Sequence, residues 1–291
     1  MRGGWAIALV GCWIPALAAQ GRPTTEVLVL GTIHGMNQPG CTFGNLMDVF
    51  DAVAPEALAV EIRPEALASG DLLDGPIEMS LLVYLARQRS LPVAGIDWWR
   101  TADFARFLAE RPVDEPAREQ EELAAAEREF GPESPYDLFR INGPAWTELM
   151  RREHDIAIRY EGDRGNWGWT QRNLWMAHRL ARFVSQHRGR RILVAVGAEH
   201  RYFLLDELRR EPDVKLLDLE SFAARLPAKP SRSRVPDGVV ALWTEGVQRL
   251  QRYALRLGKE TPLLAERLAR KLRLVRAIIH ERGACCAKIE Q

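Results

Sequence analysis

Two histidines in this chain share one local pattern, because each follows by three residues a glycine that ends an aliphatic run. The first is His34 in VLVLGTIH, and the second is His200 in ILVAVGAEH. Glycine at a strand exit lets the backbone turn sharply or approach another group closely. Gly31 and Gly197 would therefore let each imidazole lean over the end of its strand. A lone histidine is commonly a structural residue, whereas two at matching positions favour a shared functional site.

Two carboxylates fall at the ends of the aliphatic runs between these motifs. They are Glu61 in LAVEIRPE and Asp97 in VAGIDWW. Parallel sheets bind ligands beyond the carboxyl ends of their strands, so four runs would bring two imidazoles and two carboxylates to one edge. These groups are the ligands of borderline divalent cations such as zinc, manganese or iron, which activate water when a coordination position is open. Asp97 has a second interpretation, as the cap of a helix predicted to begin near residue 101.

Five aliphatic runs supply the strands that these residues need. The runs are nearly continuous rather than alternating, as expected for strands covered on both faces. Segments with helical spacing separate them, which predicts an α/β fold with a mainly parallel sheet flanked by helices. The predicted strands are Val27–Leu30, Ala57–Ile62, Pro92–Ile96, Arg191–Val196 and Lys215–Leu219, and the predicted helices are Phe43–Ala54, Pro76–Arg89, Thr101–Glu110, Ala145–Tyr160 and Thr170–His187.

Three breaks in the alternation indicate the domain organisation. Residues 1–18 precede an α/β domain over 19–226, which contains a helical insertion at about 111–163. The Pro/Ser/Arg-rich stretch LPAKPSRSRVPDG then leads into a C-terminal helical hairpin, so that 227–291 form a linker and two amphipathic helices. We expect the hairpin to pack on the domain. Its arginines leave contact with a membrane surface as the less favoured alternative.

The first residues have the pattern of an export signal. Arg2 precedes an apolar run over 5–17, and ALA at 16–18 is a small-x-small cleavage site. The run is too short to span a bilayer comfortably. We therefore expect cleavage after Ala18 and an exported protein, periplasmic or secreted. Lipoprotein anchoring at Cys12 is less favoured, because the apolar run ahead of it would be very short.

Charge and cysteine content exclude several classes of protein. Removing residues 1–18 leaves 39 basic and 39 acidic side chains, because Arg2 is the one charged residue lost. Nucleic-acid binding would rest on the basic C-terminal helices alone, so we expect none. Cys41, Cys285 and Cys286 are an odd number in the mature chain, and either one pair forms with Cys41 or the thiols are idle. The sequence has no CxxC, no GxSxG elbow and no phosphate-binding glycine loop.

Arg172 is a further candidate for the site. Thr170 can cap the helix predicted from that residue, which places Arg172 in the first turn, where the helix dipole disfavours a cation. An acidic partner such as Glu61 or a substrate carboxylate would offset this cost. The alternative is a surface arginine. The other histidines on predicted helices, His154 among them, lack matching spacing, and we treat them as surface or structural residues.

These motifs resemble the TraB/PrgY/GumN family. The resemblance covers roughly 27–208 and rests on GTIH, GAEH, VEIRPE and the helix motif QRNLWMAHRL. That family is related to the TIKI metalloproteases and to the ChaN-like and erythromycin-esterase-like group. The resemblance implies metal-site or catalytic roles for His34, Glu61 and His200, and a functional role for Arg172 with Asn173 beside it. This chain departs from the family in RYFLLDEL after His200 and in its acid-rich insertion.

The sequence thus predicts an exported metal-dependent hydrolase of peptidase or esterase type, acting on a peptide or small molecule. His34, Glu61 and His200 would hold a divalent metal ion, manganese, cobalt or zinc. Arg172 would orient the substrate, and either Glu61 or Glu199 would move the proton. Gly31, Asp97, Asn173 and Gly197 would support or line the site. The rival hypotheses are a non-catalytic haem- or small-ligand-binding protein of the same fold and an inactive scaffold.

Overall fold

The computed structural model describes residues 23–38, 40–99, 117–130, 137–165, 168–257 and 262–280. The predicted export signal, the helix predicted over 101–110, and Cys285 and Cys286 lie outside these residues. The strands are β1 (Thr25–Thr32), β2 (Asn37–Gln38), β3 (Cys41–Thr42), β4 (Ala57–Val60), β5 (Val93–Gly95), β6 (Arg191–Gly197) and β7 (Val214–Leu217), and the helices are α1 (Phe43–Val53), α2 (Pro64–Ser69), α3 (Ile77–Gln88), α4 (Ala117–Phe130), α5 (Leu138–Asn142), α6 (Pro144–Gly165), α7 (Trp169–Gln186), α8 (Arg201–Leu208), α9 (Asp237–Leu257) and α10 (Pro262–His280).

A parallel sheet of five strands in the order β5-β4-β6-β1-β7 lies at the centre of the described residues. All five predicted strands are present, so the predicted α/β fold with a parallel sheet flanked by helices is confirmed. In the register, Thr32 of β1 pairs with Gly197 of β6, and Val60 of β4 pairs with Ala195. The two GxxH motifs and Glu61 therefore leave three adjacent strands at the same level.

Each face of the sheet is covered by helices, because successive side chains of a strand point to opposite faces. Leu28, Leu30, Leu58 and Leu193 pack with α1, α3, α9 and α10 on one face. Val27, Val29, Ile192 and Val194 pack with α7 and α8 on the other. This double cover explains why the strands are almost uninterrupted runs of aliphatic residues.

The C-terminal helices α9 and α10 belong to the main core. Trp243 of α9 is fully buried, and its indole Nε1 donates a hydrogen bond to Ser80 Oγ at 2.6 Å. Its ring contacts Phe43 with centroids 5.4 Å apart. The preceding linker is also fixed, because Ser231 N donates to Asp48 Oδ2 at 2.9 Å. None of the helices within the described ranges is long and apolar enough to cross a membrane.

The predicted helical insertion contains α4, α5 and most of α6. Ala126, Leu149, Met150 and Ile156 form a small third core that also takes in Trp169 of α7.

Cys41 is buried and unbonded as a thiol, and burial raises the pKa of Cys41 to about 12, with the charge of Asp137 adding to the effect. A thiol with such a pKa is a poor nucleophile at neutral pH.

Candidate functional site

Polar side chains from four strand ends meet at the carboxyl edge of the sheet. His34 follows β1, Glu61 follows β4, Asp97 follows β5, and His200 follows β6. Glu61, Asp97 and His200 are almost fully buried, whereas His34 is exposed. The predicted convergence of these residues at one edge is thus present in the structure.

The ring of His34 is held by Glu78, a residue that the sequence analysis missed. Nδ1 of His34 lies 2.9 Å from Glu78 Oε1, and Glu78 is 0 % exposed while the His34 side chain is 51 % exposed. Glu78 also accepts hydrogen bonds from Thr32 Oγ1 at 2.9 Å and from Gly35 N at 3.3 Å. A carboxylate only accepts hydrogen bonds, so Nδ1 of His34 carries the proton and Nε2 is left as an acceptor or ligand atom.

The charges around His34 favour its protonated form when no metal is bound. Desolvation of the enclosed edge of the ring opposes protonation. The hydrogen bond to Glu78 and the charges of Glu78, Glu61 and Glu199 outweigh it and raise the pKa of His34 to about 9. The site therefore attracts positive charge at the Nε2 edge of this ring.

Glu61 is the central carboxylate of the site. Its Oε1 accepts a hydrogen bond from Arg172 Nη2 at 2.8 Å and lies 3.5 Å from His200 Nε2, and its Oε2 accepts from Gly197 N at 2.6 Å. Burial favours the protonated acid, but the charge of His200 and its hydrogen bond, then the charges of Arg172 and His34, outweigh it. The pKa of Glu61 is held well below its usual range.

Arg172 has the acidic partners that its place in the first turn of a helix required. Besides Glu61, it contacts Asp97, whose Oδ1 accepts from Arg172 Nε at 2.9 Å and from Trp98 N at 2.7 Å. The interpretation of Arg172 as a surface residue is therefore wrong. The predicted cap is also wrong, because α7 begins at Trp169 with Gly168 as its N-cap and without a side-chain cap bond. Gly168 has φ of 63°, which glycine adopts without strain.

His200 is held by a neutral amide and by an indole. Its Nδ1 lies 2.9 Å from Asn173 Oδ1, and Asn173 Nδ2 donates to the Trp169 carbonyl at 2.9 Å. The second bond fixes the amide orientation, so Oδ1 accepts and Nδ1 of His200 donates. The Trp169 ring stacks on His200 with centroids 4.4 Å apart and planes 8° apart. Nε2 of His200 therefore faces Glu61, as the contact with Oε1 shows.

The stack continues to His154, which the sequence analysis treated as a surface or structural residue. His154 lies on the other face of Trp169, with centroids 3.8 Å apart. Desolvation lowers its pKa to about 4, with the charge of His200 adding to this and that of Glu199 opposing it. The neighbouring Glu153 has its pKa raised to about 7 by burial and by the charges of Glu127 and Glu199. The insertion thus packs a neutral imidazole behind the site.

Both motif glycines permit close approaches. A Cβ on Gly197 would lie 2.9 Å from His34 Cε1, 3.0 Å from His34 Nε2 and 3.4 Å from Glu61 Oε2. A Cβ on Gly31 would lie 2.8 Å from the Cα of Ala198. Asn142 of α5 clamps Gly31 as well, since Oδ1 accepts from its N at 2.7 Å and Nδ2 donates to its O at 3.0 Å. The glycines let His34 and Glu61 share one narrow space.

The donor atoms at this edge are of the types that bind divalent cations. Two imidazoles have their Nδ1 atoms bonded to Glu78 and Asn173, and the Nε2 edges of both rings lie beside the Glu61 carboxylate. Histidines that bind metals are oriented by such outer partners. In the described residues, however, no group of three or more His, Cys, Asp or Glu side chains is drawn together closely enough to hold a metal. Arg172 and Gly197 N each bond one of the two Glu61 oxygens. Glu61 could therefore bind a metal ion only after one of these hydrogen bonds opened.

Glu199 occupies a different position from the other predicted site residues. It lies on the exposed side of the turn Ala198–His200. Its charge still acts on His34, Glu153 and His154. Glu199 is therefore at the rim of the site, whereas Glu61 is inside it.

The signal for Glu78 in the sequence was a single acid within the apolar run PIEMSLL, since a charge on a buried helix face needs a partner.

The chain has no match in three comparisons, which covered family models, curated proteins and solved structures.

Proposed function

We propose that this chain is a metal-dependent hydrolase whose site lies at the carboxyl edge of the parallel sheet. The observation that carries the proposal is the matched orientation of two histidines from adjacent strands. Both have Nδ1 tied to a buried acceptor, and the Nε2 edges of both rings lie beside Glu61. A structural histidine needs no such shared target, whereas a pair of ligands does.

His34, Glu61 and His200 would hold the ion, which we expect to be manganese, cobalt or zinc. Such an ion, when bound, lowers the pKa of water and polarises a carbonyl group. With neutral imidazoles, the fixed charges of Glu61, Glu78 and Asp97 outnumber that of Arg172 by two. A divalent cation would balance this excess.

The protein's own groups prepare this site before any ligand enters. Glu78 and Asn173 fix the tautomers of His34 and His200, so each ring keeps Nε2 toward the shared space. Arg172 ties Glu61 to Asp97 and thereby fixes the carboxylate. Because it already serves two carboxylates, Arg172 would orient a substrate only where one of these contacts opens.

Glu199 is the better of the two predicted proton carriers. Glu61 has a pKa well below its usual range and accepts hydrogen bonds on both oxygens, so it holds a proton poorly. Glu199 lies at the exposed rim, and its charge acts on His34. We therefore assign to Glu199 the transfer of a proton from the attacking water to the leaving group.

The resemblance to the TraB/PrgY/GumN family supports a hydrolase acting on a peptide or an ester. The pattern of the first 18 residues supports export of the protein. The half-exposed ring of His34 makes the site accessible from solvent at the sheet edge. Substrates of both types present a carbonyl carbon to attacking water, and this shared chemistry defines the substrate class we propose.

Elemental analysis of the chain from Ala19, purified without chelators, tests the proposal directly. We expect near-stoichiometric metal in the wild type and loss of it in the His34→Ala/His200→Ala double variant. The same proteins are assayed on p-nitrophenyl esters and on a peptide mixture with manganese, cobalt or zinc added, and again with chelator. We expect hydrolysis by the wild type only with metal.

Two exposed histidines away from the site give matched controls. His178→Ala and His280→Ala each remove an imidazole from the surface of α7 or α10 and should keep both metal and hydrolysis. Wild-type metal content in the double variant would contradict the assigned ligands. Metal-free wild type that hydrolyses none of the substrates, even after incubation with the three ions, would favour the binding-protein or scaffold hypothesis.

A further inference from the structure

The second helix of the C-terminal hairpin contacts two segments that carry residues of the candidate site. We propose that its second helix, α10, positions the site through Lys271 and Leu274. Lys271 would fix the loop 73–75 beneath Glu61 and ahead of Glu78, and Leu274 would support the turn that carries His34. This inference rests on the proposed function for its catalytic meaning, but its structural content is tested separately below.

Lys271 binds three successive carbonyl oxygens of one loop. Its Nζ donates to the carbonyls of Leu73, Asp74 and Gly75, the last two at 3.2 Å and 2.5 Å. An ammonium group has three N–H donors, so it can serve all three carbonyls at once. Lys271 is half-buried, and three bonds to one loop fix its position, unlike that of a solvated surface lysine.

The loop that Lys271 holds lies directly against Glu61. A Cβ on Gly75 would lie 2.3 Å from the Glu61 carbonyl oxygen and 2.7 Å from Ile62 Cγ1, so loop and strand end are in close contact. Arg63 strengthens the same junction, because its Nε and Nη2 donate to the two Asp74 carboxylate oxygens at 2.8 Å and 2.6 Å. Movement of this loop would therefore displace the backbone that carries Glu61.

The loop also sets the start of the helix that carries Glu78. Pro76 is the N-cap of α3, and Glu78 stands in its first turn. Glu78 is bonded to His34 Nδ1, Thr32 and Gly35. The path from Lys271 to His34 thus runs through one short loop, one helix start and one buried carboxylate, each in direct contact with the next.

Leu274 gives α10 a second contact with the site. A Cβ on Gly35 would lie 3.1 Å from Leu274 Cδ2, and Gly35 has φ of 99°, so the turn after His34 is adapted to this neighbour. Lys271 and Leu274 are one turn apart on the helix and share one face. Val275 and Ile278 of α10 are buried in the main core. The helix should therefore stay anchored to the domain when Lys271 is replaced.

The test is the low-field imidazole proton signal of His34. A proton held between Nδ1 and the Glu78 carboxylate exchanges slowly, and it is assigned among the six histidines by its absence in His34→Ala. We expect Lys271→Met to broaden or abolish this signal, because the variant keeps the aliphatic stem and loses all three donors. Where the wild type hydrolyses an ester or peptide, we expect the rate to fall by roughly 10- to 100-fold, as for loss of an outer partner of a ligand.

Two variants of the same helix separate positioning from stability. Arg273→Met removes an exposed cation two residues away and should leave signal and rate unchanged. Ile278→Ala removes a fully buried core side chain and should lower Tm, yet keep the His34 signal below that temperature. Leu274→Ala should weaken the signal less than Lys271→Met, since Glu78 still holds the ring.

The outcomes distinguish this inference from the proposed function. A His34 signal that is present in the wild type and lost in Lys271→Met supports the inference even if no substrate is hydrolysed, in which case the proposed hydrolase alone fails. An unchanged signal and rate in Lys271→Met would overturn the inference. So would absence of the His34 signal from the metal-free wild type, or its loss in Ile278→Ala as well.

Discussion

His34 and His200 stand at equivalent places in the same motif, yet their surroundings differ in charge and in exposure. Glu78, a buried carboxylate, holds His34, whose side chain is 51 % exposed. Asn173, a neutral amide, holds His200, which is 3 % exposed and stacked on Trp169. Both rings face Glu61, but one imidazole is open and bonded at Nδ1 to a carboxylate, while the other is enclosed, bonded at Nδ1 to an amide and stacked on an indole.

Under the proposed function, this difference gives the two histidines different roles in one site. The hydrogen bond to Glu78 raises the pKa of His34, and an exposed imidazole can meet substrate or water. An enclosed imidazole with fixed neighbours holds its position with little reorganisation. We infer that His34 lies on the substrate side and that His200 forms the rigid side. The predictions below test this comparison, in order of decreasing effect at neutral pH.

The largest effect is expected from removing either imidazole. His34→Ala and His200→Ala should each lower kcat/KM for hydrolysis by about a thousandfold, within the range for loss of a group that acts at the reacting centre. The double variant should lose little more, because groups that act as a unit are not additive. Steady-state kinetics with circular dichroism checks the activity and the fold. Additive losses would mean that the two histidines serve separate sites.

Exchange of the outer partner should affect His34 more than His200. Glu78→Gln removes the charge at Nδ1, so the pKa of His34 should fall below about 9 and hydrolysis should drop roughly 10- to 100-fold. Asn173→Ala, which removes only a neutral acceptor, should cost less. The pKa is measured by NMR titration of metal-free protein. A larger loss in Asn173→Ala would reverse the assignment of the two sides.

The pH dependence of stability also tests the pair His34 and Glu78, because the direction of the change is predicted. A histidine whose pKa is raised on folding stabilises the protein below its unfolded value of 6.5, and this contribution disappears as the pH rises through about 9. The difference in free energy of unfolding between wild type and Glu78→Gln should therefore be largest below pH 6.5 and shrink toward pH 9. Urea denaturation of metal-free protein across this window measures it. An equal difference at all pH values would contradict the link.

The two motif glycines should respond differently to a methyl group. In Gly31→Ala the new Cβ meets the backbone of Ala198 at 2.8 Å, which moves only at a cost of about 1–3 kcal/mol. In Gly197→Ala it meets the ring of His34, whose exposed side lets it turn away. We expect Gly31→Ala to lower stability more and Gly197→Ala to lower activity more. Denaturation and kinetics of both variants measure the contrast.

The smallest effect at neutral pH is expected for His154, behind the enclosed imidazole. Its pKa of about 4 lies below the unfolded value of 6.5, so its neutral form stabilises the fold above pH 6.5 and this contribution is lost as the pH falls toward 4. His154→Phe keeps a ring against Trp169 and should weaken the acid-induced loss, by at most roughly 3 kcal/mol. The difference between variant and wild type isolates His154 from Glu153, which titrates with opposite sign.

Local sequence patterns predicted the sheet and most of the polar edge. The strands are continuous aliphatic runs, and residues at their carboxyl ends must meet in a parallel sheet, which placed His34, Glu61, Asp97 and His200 together. The helix dipole argument supplied Arg172 with its acidic partner. Each of these inferences needs only the residues near one helix or strand and the rule that the carboxyl ends of parallel strands lie at one edge of the sheet.

Contacts between distant segments could not be predicted in the same way. Glu78 supports His34 because α3 packs across the sheet edge, and no spacing in the sequence relates the two residues. The Trp169 stack requires the insertion to dock, which brings His154 to the indole. Lys271 lies outside the stretch that resembles a known family. The cap predicted at Thr170 was also wrong, because α7 begins one residue earlier, at Trp169, after Gly168 in a left-handed conformation.

The contact of Lys271 with Leu73 joins residues 198 positions apart, and that of Gly197 with Glu61 joins residues 136 positions apart. During synthesis, the two residues of each contact leave the ribosome at well-separated times. A nascent chain that ends before α10 would carry both imidazoles and the loop 73–75, but not the lysine that holds this loop. Long-range closure of this kind is also slow, because loop entropy opposes it until late in folding. Assembly of the site should therefore coincide with completion of the fold, and earlier intermediates should be inert.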